Sequence, residues 1–385
     1  MPTVKSMYEK ETMCVHSARC PKTGHGAIAT PIYQSATFVH EGLDKESEYS
    51  YSRLQNPTRA ALEARVAELE DGVDAIAFTS GMAAEATLMN LLEAPGHVVA
   101  GDDLYGGTLR LFRQVSTPAG TRFDFTDTTV SEKVRACLRP DTKAIYVETP
   151  SNPTMQVTDI AAVAKIAHEV GALLIVDNTF LSPLFQRPLE LGADIVVHSG
   201  TKYLGGHNDT LAGFLVVKSQ EIAERLRYYA KTTGAGLAPF DCFLLERGIK
   251  TLAVRLEKQA ANAEQIAHWL RQRPEVTKVY YIGFSDHPGY AVTRRQCSGF
   301  GGMLSVEVAS SDTARKLLRE VKLFQYAESL GGVDSLITYP MCQTHADVPE
   351  AERLRRGIND RFLRISVGIE NANDLIEDLR QALEG

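Results

Sequence analysis

No apolar run in this chain of 385 residues approaches the roughly 20 that a membrane-spanning helix requires. The N-terminal stretch carries charges throughout and has no apolar h-region, which argues against a secretory signal peptide and makes a cytoplasmic protein the expectation. Paired cysteines are missing as well. The six present (Cys14, Cys20, Cys137, Cys242, Cys297 and Cys342) are scattered without a CxxC. Neither a metal centre nor a disulfide framework is therefore expected, and a reducing compartment suits them. Positive charge is not in excess: 41 Lys and Arg stand against 48 Asp and Glu, a net charge of -7. That balance argues against nucleic acid as a partner while leaving room for local basic pockets that hold small anions. No GxGxxG follows a candidate strand, which counts against a nicotinamide-dependent enzyme, and no internal repeat is evident.

What is present has the composition of an ordinary globular enzyme, 44% hydrophobic and 23% charged. The length allows a large core and two domains. Residues 1–50 have weak periodicity and turn residues at Pro21, Gly24, Gly26, Pro31 and Gly42. They suggest no core of their own and read as an arm wrapping a neighbouring subunit, with disorder as the alternative. From Ala75 onward, short strand-like runs at 75–79, 98–100, 123–125, 143–148, 172–176, 194–197 and 211–217 alternate with helical stretches, among them 109–114 and 160–170. That alternation predicts a doubly wound, mostly parallel sheet. A mostly helical segment from Ile222 to about Arg273, broken at Gly234-Ala235-Gly236, contains the expected domain boundary near Gly248. Beyond Pro274, shorter strands at 276–282, 303–308 and 362–367 with a helix at 375–383 predict a smaller α+β domain. The expected division is an arm (1–50), a large domain (51–247) and a C-terminal domain (248–385).

Two central runs end in chemistry. Ala172-Leu173-Leu174-Ile175-Val176-Asp177-Asn178-Thr179 is an apolar run closed by a carboxylate, and Asp194-Ile195-Val196-Val197-His198-Ser199-Gly200-Thr201-Lys202-Tyr203 is one closed by hydroxyls and a lysine. Neither alternates, as expected of strands buried on both faces, and their polar residues fall at carboxyl ends, where open α/β sheets bind ligands. A carboxylate can hold a pyridinium nitrogen charged, and a lysine can form a Schiff base with an aldehyde. Together they suggest a site for pyridoxal 5'-phosphate (PLP). Ser80-Gly81-Met82-Ala83-Ala84 follows a strand and opens a helix, a place where free amides can hold an anion. Tyr51 and Arg53 precede Asn56-Pro57-Thr58 and the helix it opens. They are either solvated there or make a phosphate contact.

These stretches together resemble the Cys/Met-metabolism PLP-dependent enzymes. Besides the two runs, the resemblance rests on Gly205-Gly206-His207, Tyr51-Ser52-Arg53 with Asn56-Pro57-Thr58, Ser80-Gly81-Met82-Ala83-Ala84 and Tyr105-Gly106-Gly107-Thr108. It continues through Glu148-Thr149-Pro150-Ser151-Asn152-Pro153, Glu328-Ser329-Leu330-Gly331-Gly332, Thr344-His345 and Leu363-Arg364-Ile365-Ser366-Val367-Gly368, and spans almost the whole chain in family order. It implies the fold type I, aspartate-aminotransferase-like architecture. It also implies that Lys202 carries PLP, Asp177 pairs with the ring nitrogen alongside Thr179, and Tyr105 stacks on the ring. By the same resemblance, Gly81, Met82, Ser199 and Thr201 hold the phosphate, and Tyr51 and Arg53 reach it from a neighbouring subunit. A homo-oligomer follows, a dimer of dimers with shared sites. Arg364 would clamp the substrate α-carboxylate, helped by Asn152 and Ser329. Glu148 remains a weaker candidate, and His207 and His345 read as structural.

The implied substrates are small sulfur-containing or O-acylated amino acids. Glu328 stands where the γ-acting cystathionine enzymes of this family have Glu, and Arg110 could hold a distal carboxylate. Gly107 replaces the cysteine typical of methionine γ-lyases, and Ser50 stands where an acidic residue is frequent. The stretch Leu336-Ile337-Thr338-Tyr339-Pro340 with Gln343-Thr344-His345-Ala346-Asp347 resembles bacterial γ-synthases. The expectation is therefore a cystathionine γ-synthase-type activity. Cystathionine γ-lyase, cystathionine β-lyase, O-acetylhomoserine sulfhydrylase and methionine γ-lyase are alternatives, and a PLP-fold binding protein without turnover is the alternative of another class.

Overall fold

The computed structural model describes residues 8–17, 19–21, 25–45 and 47–384; Gly24, named above as a turn residue, lies outside them. Seven strands form the larger sheet: β1 (Asp74–Phe78), β2 (Gly96–Gly101), β3 (Thr121–Thr126), β4 (Thr142–Glu148), β5 (Leu173–Asp177), β6 (Ile195–Ser199) and β7 (Gly213–Val217). Their order is β1-β7-β6-β5-β4-β2-β3. From β6 to β3 every neighbouring pair is parallel, whereas β7 runs antiparallel to both β1 and β6. The antiparallel entry of β7 is possible because the loop of residues 200–212 joins it to β6 with no crossover helix between them.

The missing alternation in the central strands has the expected cause, which is burial on both faces. Val147, Val176 and Val196 enter one core with the helices Pro57–Glu70 and Ile160–Glu169. Tyr146, Ile175 and Val197 enter a second core with the helices Gly81–Leu91 and Gln220–Thr233. By the two-residue period of a strand, Glu148 and Asp177 fall on this second side, and they are register partners across β4 and β5.

The smaller sheet comprises β8 (Val276–Tyr280), β9 (Met303–Val308), β10 (Gln325–Tyr326), β11 (Leu336–Thr338) and β12 (Phe362–Ser366), in the order β10-β11-β12-β9-β8. Leu304, Val306, Leu363 and Ile365 pack under the helices Leu252–Leu270, Ser311–Glu320 and Ala372–Glu384. The intervening residues face the large sheet: Ser305 and Arg364 are cross-strand partners, and Ser305 Oγ donates to Pro153 O at 2.8 Å. The alternation of β12 thus aims one arginine at the loop leaving β4.

One detail differs from the sequence expectation. The helix expected at 109–114 begins earlier, with an α-turn at Gly106–Arg110 that continues as a π-turn at Leu111–Ser116. The wider turn accompanies Phe112, which is buried against Phe123 and Tyr146 at ring separations of 4.7 and 5.2 Å. The first part of the arm packs on its own chain. The helix Lys10–Val15 buries Met13 and Cys14, and Arg65 Nη1 donates to the carbonyls of both.

Arg65 Nη2 also pairs with Glu246 Oε1 at 3.0 Å, and Thr30 Oγ1 donates to the same oxygen. Both ionic side chains are about 5% exposed, so losing one leaves the other buried and uncompensated. Glu246→Leu is expected to cost about 3–5 kcal/mol in a denaturant melt, with most of it recovered in Arg65→Met/Glu246→Leu.

Candidate active site

The carboxyl ends of β5 and β6 open into a cavity of about 320 Å³, walled on one side by the start of helix Gly81–Leu91 and roofed by residues around Ser329 and Arg364. Three larger hollows, of about 910, 820 and 440 Å³, are present among the described residues; the second adjoins this cavity through Thr201, Leu211, Glu328 and Ser329, and none of the three is lined by Lys202 or Asp177.

Lys202 Nζ donates to Ser329 Oγ at 2.8 Å. Burial foremost, and then the Arg364 charge, bring its pKa down to about 8, with Glu328 opposing. Ser329 sits at φ +93°, a strained backbone setting for a residue with a side chain. In that setting its hydroxyl meets Lys202 while its carbonyl accepts from Arg364 Nη2 at 2.8 Å. Arg364 is 1% exposed, and its Nη1 donates to Asn152 Oδ1 at 2.9 Å while Nη2 also reaches Thr338 Oγ1 at 3.1 Å. Its Nε has no partner. Burial lowers its pKa to about 10, so it stays charged at neutral pH.

Asp177 accepts from Thr179 N at 2.9 Å and from Thr179 Oγ1 at 2.6 Å. Its carboxyl lies above the usual range because it is buried, an effect opposed by Thr179 and by His198 on the reverse face of the sheet. His198 Nε2 lies 2.5 Å from Glu70 Oε1, which also accepts from Asn178. A cation arriving beside Asp177 would restore its ionised form. Glu148 is pushed well up by burial and then by Asp177, and its Oε2 accepts the Tyr105 amide at 2.8 Å. This hydrogen bond fixes the start of the short helix on which Tyr105 sits.

The two glycines after Tyr105 are needed for close approach. A Cβ at Gly106 would lie 2.2 Å from Thr344 O, and one at Gly107 would lie 2.5 Å from the Tyr105 ring. At the opposite wall, Ser80 caps helix Gly81–Leu91 by accepting from Ala83 N at 3.1 Å. The Gly81 and Met82 amides belong to the first turn, where no intrahelical acceptor is available. A Cβ at Gly81 would lie 3.3 Å from Ser199 Cβ, so the helix start abuts the end of β6.

Of the residues singled out from the sequence, Gly81, Met82, Tyr105, Asn152, Asp177, Thr179, Ser199, Thr201, Lys202, Glu328, Ser329 and Arg364 line this one cavity. Three do not. Arg110 pairs with Asp347 at 2.7 Å, both side chains being at least half exposed, and so faces solvent rather than the cavity. Tyr51 and Arg53 are outside it too: Arg53 donates to Lys231 O at 2.6 Å and lies over the Tyr51 ring at 5.5 Å. His345 is buried with Nε2 against Asn152 O at 3.2 Å, and its pKa is lowered to about 3 by burial and by Arg364 and Arg356, so it is neutral. His207 bonds the carbonyl of Gly205 within its own turn.

Sequence reasoning missed Glu85, Phe180 and Val197, which also line the cavity. Glu85 could have been found, since it lies four residues after Gly81 and therefore on the same face of the helix.

A lysine of lowered pKa, a buried carboxyl at the end of the next strand and unsatisfied helix amides, within a doubly wound sheet, define a pyridoxal-phosphate enzyme of fold type I. The chain belongs to the Cys/Met metabolism PLP-dependent enzyme family, whose sequence profile matches residues 11–384. It is 48% identical over 376 residues to the cystathionine gamma-lyase of Bacillus subtilis (strain 168), covering 98% of this chain and 99% of that protein. To the cystathionine beta-lyase of Coxiella burnetii it is 47% identical, covering 97% of each. The crystal structure of cystathionine gamma synthase from Xanthomonas oryzae pv. oryzae in complex with aminoacrylate and cysteine superposes with a TM-score of 0.96 at 39% identity, covering 98% of each chain. The cofactor is accordingly PLP, and the chain is an enzyme of the PLP-dependent transferase and carbon–sulfur lyase group of transsulfuration. Family members act on sulfur amino acids. Among the described residues, no helix is long and apolar enough to cross a membrane and no cluster of side chains could hold a metal ion.

The residues present fit this cofactor, with first-turn amides for a phosphate, a buried carboxyl for a ring nitrogen, and a lysine amine that is neutral at mildly alkaline pH. In the cofactor-free protein, amine-directed labelling of Lys202 is expected to rise with a midpoint near pH 8, since the amine is protonated and unreactive below that value. Peptide mapping of the label checks this; a midpoint near the ordinary value of about 10.4 would show that burial does not act on this amine.

Proposed function

We propose that the 320 Å³ cavity holds the cofactor, with the phosphate on the amides of Gly81 and Met82 and the hydroxyls of Ser199 and Thr201. Tyr105 would stack on the ring, Asp177 (steadied by Thr179) would meet its nitrogen, and Lys202 would hold its aldehyde carbon. Tyr51 and Arg53, which face away from the cavity of their own chain, complete the phosphate site of a second copy, so the working enzyme is a homo-oligomer. The placement of Lys202 Nζ in one cavity with Asp177, Arg364 and Glu328 carries this reading.

The reaction proposed is γ-replacement: an O-acyl-homoserine and cysteine give cystathionine and the free carboxylic acid. The bound cofactor supplies an electron sink for negative charge at the substrate Cα. Arg364 holds the α-carboxylate, its guanidinium fixed beforehand by Asn152, Ser329 and Thr338, so little ordering remains to be done on binding. Lys202 Nζ, freed when the substrate's amino group displaces it and with its lowered pKa, takes the Cα proton and carries it within the cavity, while Ser329 Oγ orients the amine. Loss of a proton from Cβ then lets the acyl oxygen leave Cγ as a carboxylate; the cysteine sulfur bonds to Cγ while its own proton passes to the departing acid or to solvent, and protons return to Cβ and Cα. Glu328 faces the distal end of the substrate. Because Arg110 is engaged by Asp347, it does not serve a distal carboxylate in this arrangement, which favours an uncharged acyl group such as acetyl.

The second reading is cleavage of cystathionine with water to cysteine, 2-oxobutanoate and ammonia, favoured by the 48% identity to a cystathionine gamma-lyase. Methionine γ-lyase chemistry is disfavoured, because Gly107 stands where methionine γ-lyases typically carry a cysteine. Purified protein assayed with O-acetyl- and O-succinylhomoserine plus cysteine, and with cystathionine alone, separates the readings. Cystathionine formation supports the first, and 2-oxobutanoate or pyruvate from cystathionine with no synthesis would replace it with a γ- or β-lyase. Absence of any product would leave a binding protein. Arg364→Lys is expected to lower kcat/KM for the amino acid about tenfold to hundredfold, mainly through KM, with cofactor content unchanged.

A further inference from the structure

Glu85 lines the same cavity but has no part in the scheme above. It lies one turn below Gly81 on the same face of helix Gly81–Leu91 and is 3% exposed. Its Oε1 accepts from Thr108 Oγ1 at 3.0 Å and from Tyr146 OH at 3.3 Å, whereas its Oε2 is buried and has no partner. One oxygen satisfied twice and the other not at all is an incomplete arrangement, and a further partner belongs at Oε2. The groups facing Glu85 are Tyr146 and Glu148 from β4, Asp177 from β5 and Tyr105 from the neighbouring helix start, with Lys202 and Arg364 also on the cavity wall. Three carboxyls, Glu85, Glu148 and Asp177, therefore surround a space into which the cofactor ring brings a single cationic nitrogen. With all three side chains buried, that excess of negative charge is relieved by protonation. Burial first, and then Asp177, hold the Glu85 carboxyl up to about 8.

We propose that Glu85 is a cofactor-contacting residue, present as a neutral carboxylic acid that donates from Oε2 to a hydrogen-bond acceptor of the bound cofactor, while Asp177 supplies the anion. This rests on the placement of the cofactor in the cavity proposed above. Gln has the shape and the donor of the neutral acid, so Glu85→Gln keeps the PLP dissociation constant within about threefold and leaves the pH midpoint of the bound cofactor's visible spectrum in place. Glu85→Ala removes the donor, weakens PLP binding at least tenfold and shifts that midpoint. Infrared difference spectra of the holoproteins, wild type minus Glu85→Gln, contain the carbonyl band of a protonated carboxylic acid at pH 7, a readout that stands even if Glu85→Ala does not fold.

A tenfold or greater loss of affinity in Glu85→Gln, absence of that infrared band, or unchanged affinity and spectrum in Glu85→Ala would overturn the proposal. Lys202→Ala serves as the control for placement. If the cavity is not the cofactor site, Lys202→Ala binds PLP like wild type. If only the role of Glu85 is wrong, Lys202→Ala loses affinity and the lysine-dependent visible band while the Glu85 variants behave as just described.

Discussion

The register of β4, β5 and β6 is the constraint on which the site depends. Parallel neighbours in register carry Glu148 and Asp177 to one side of the sheet and to the same height, and β6 ends beside them before turning to Lys202. Slipping β5 by one residue would turn Asp177 towards the opposite core and replace it with an apolar side chain. What prevents such a slip is the burial of both faces, since Ile175 and Val176 enter different cores and either would be misplaced. The sheet core thus does more than stabilise the fold, because it decides which side chains meet.

Charge explains the rest of the arrangement. Buried carboxyls and cations are held around one cavity, where neither is favourable alone. The cations do not pair directly with the carboxyls: Arg364 is held by Asn152, Ser329 and Thr338, and Lys202 by Ser329. All these partners of the two cations are neutral groups, so Arg364 remains available for a carboxylate and Lys202 for an aldehyde. Had either formed an ion pair with Asp177 or Glu148, the site would be stable but occupied. The strained backbone at Ser329 serves this arrangement, since one residue presents its hydroxyl to the lysine and its carbonyl to the arginine.

Much of this was legible in the sequence because the large sheet uses long, uninterrupted apolar runs with polar punctuation. The Asp177 and Lys202 runs, the Ser80-Gly81 turn and the change of pattern after Pro274 each have a local signature. What was not legible depends on tertiary contacts. β10 and β11 have two and three residues, too few for a period. Spacing puts Glu85 on the face of Gly81, but its contacts with Tyr146 and Thr108 exist only in the folded chain. The engagement of Arg110 by Asp347 joins residues 237 positions apart, and no spacing rule could have foreseen it. Tyr51 and Arg53 have a local signature, but within one chain they lie outside the cavity, a placement that only the tertiary fold decides.

The central claim is that Lys202, and no other lysine, carries the cofactor in this cavity. Borohydride reduction of the PLP-loaded protein makes that linkage permanent, and mass mapping of its peptides then locates the pyridoxyl group. If the cavity is the active site, the label lies on Lys202 alone at about one per chain; a label on a different lysine, or none above background, would contradict the assignment of the site.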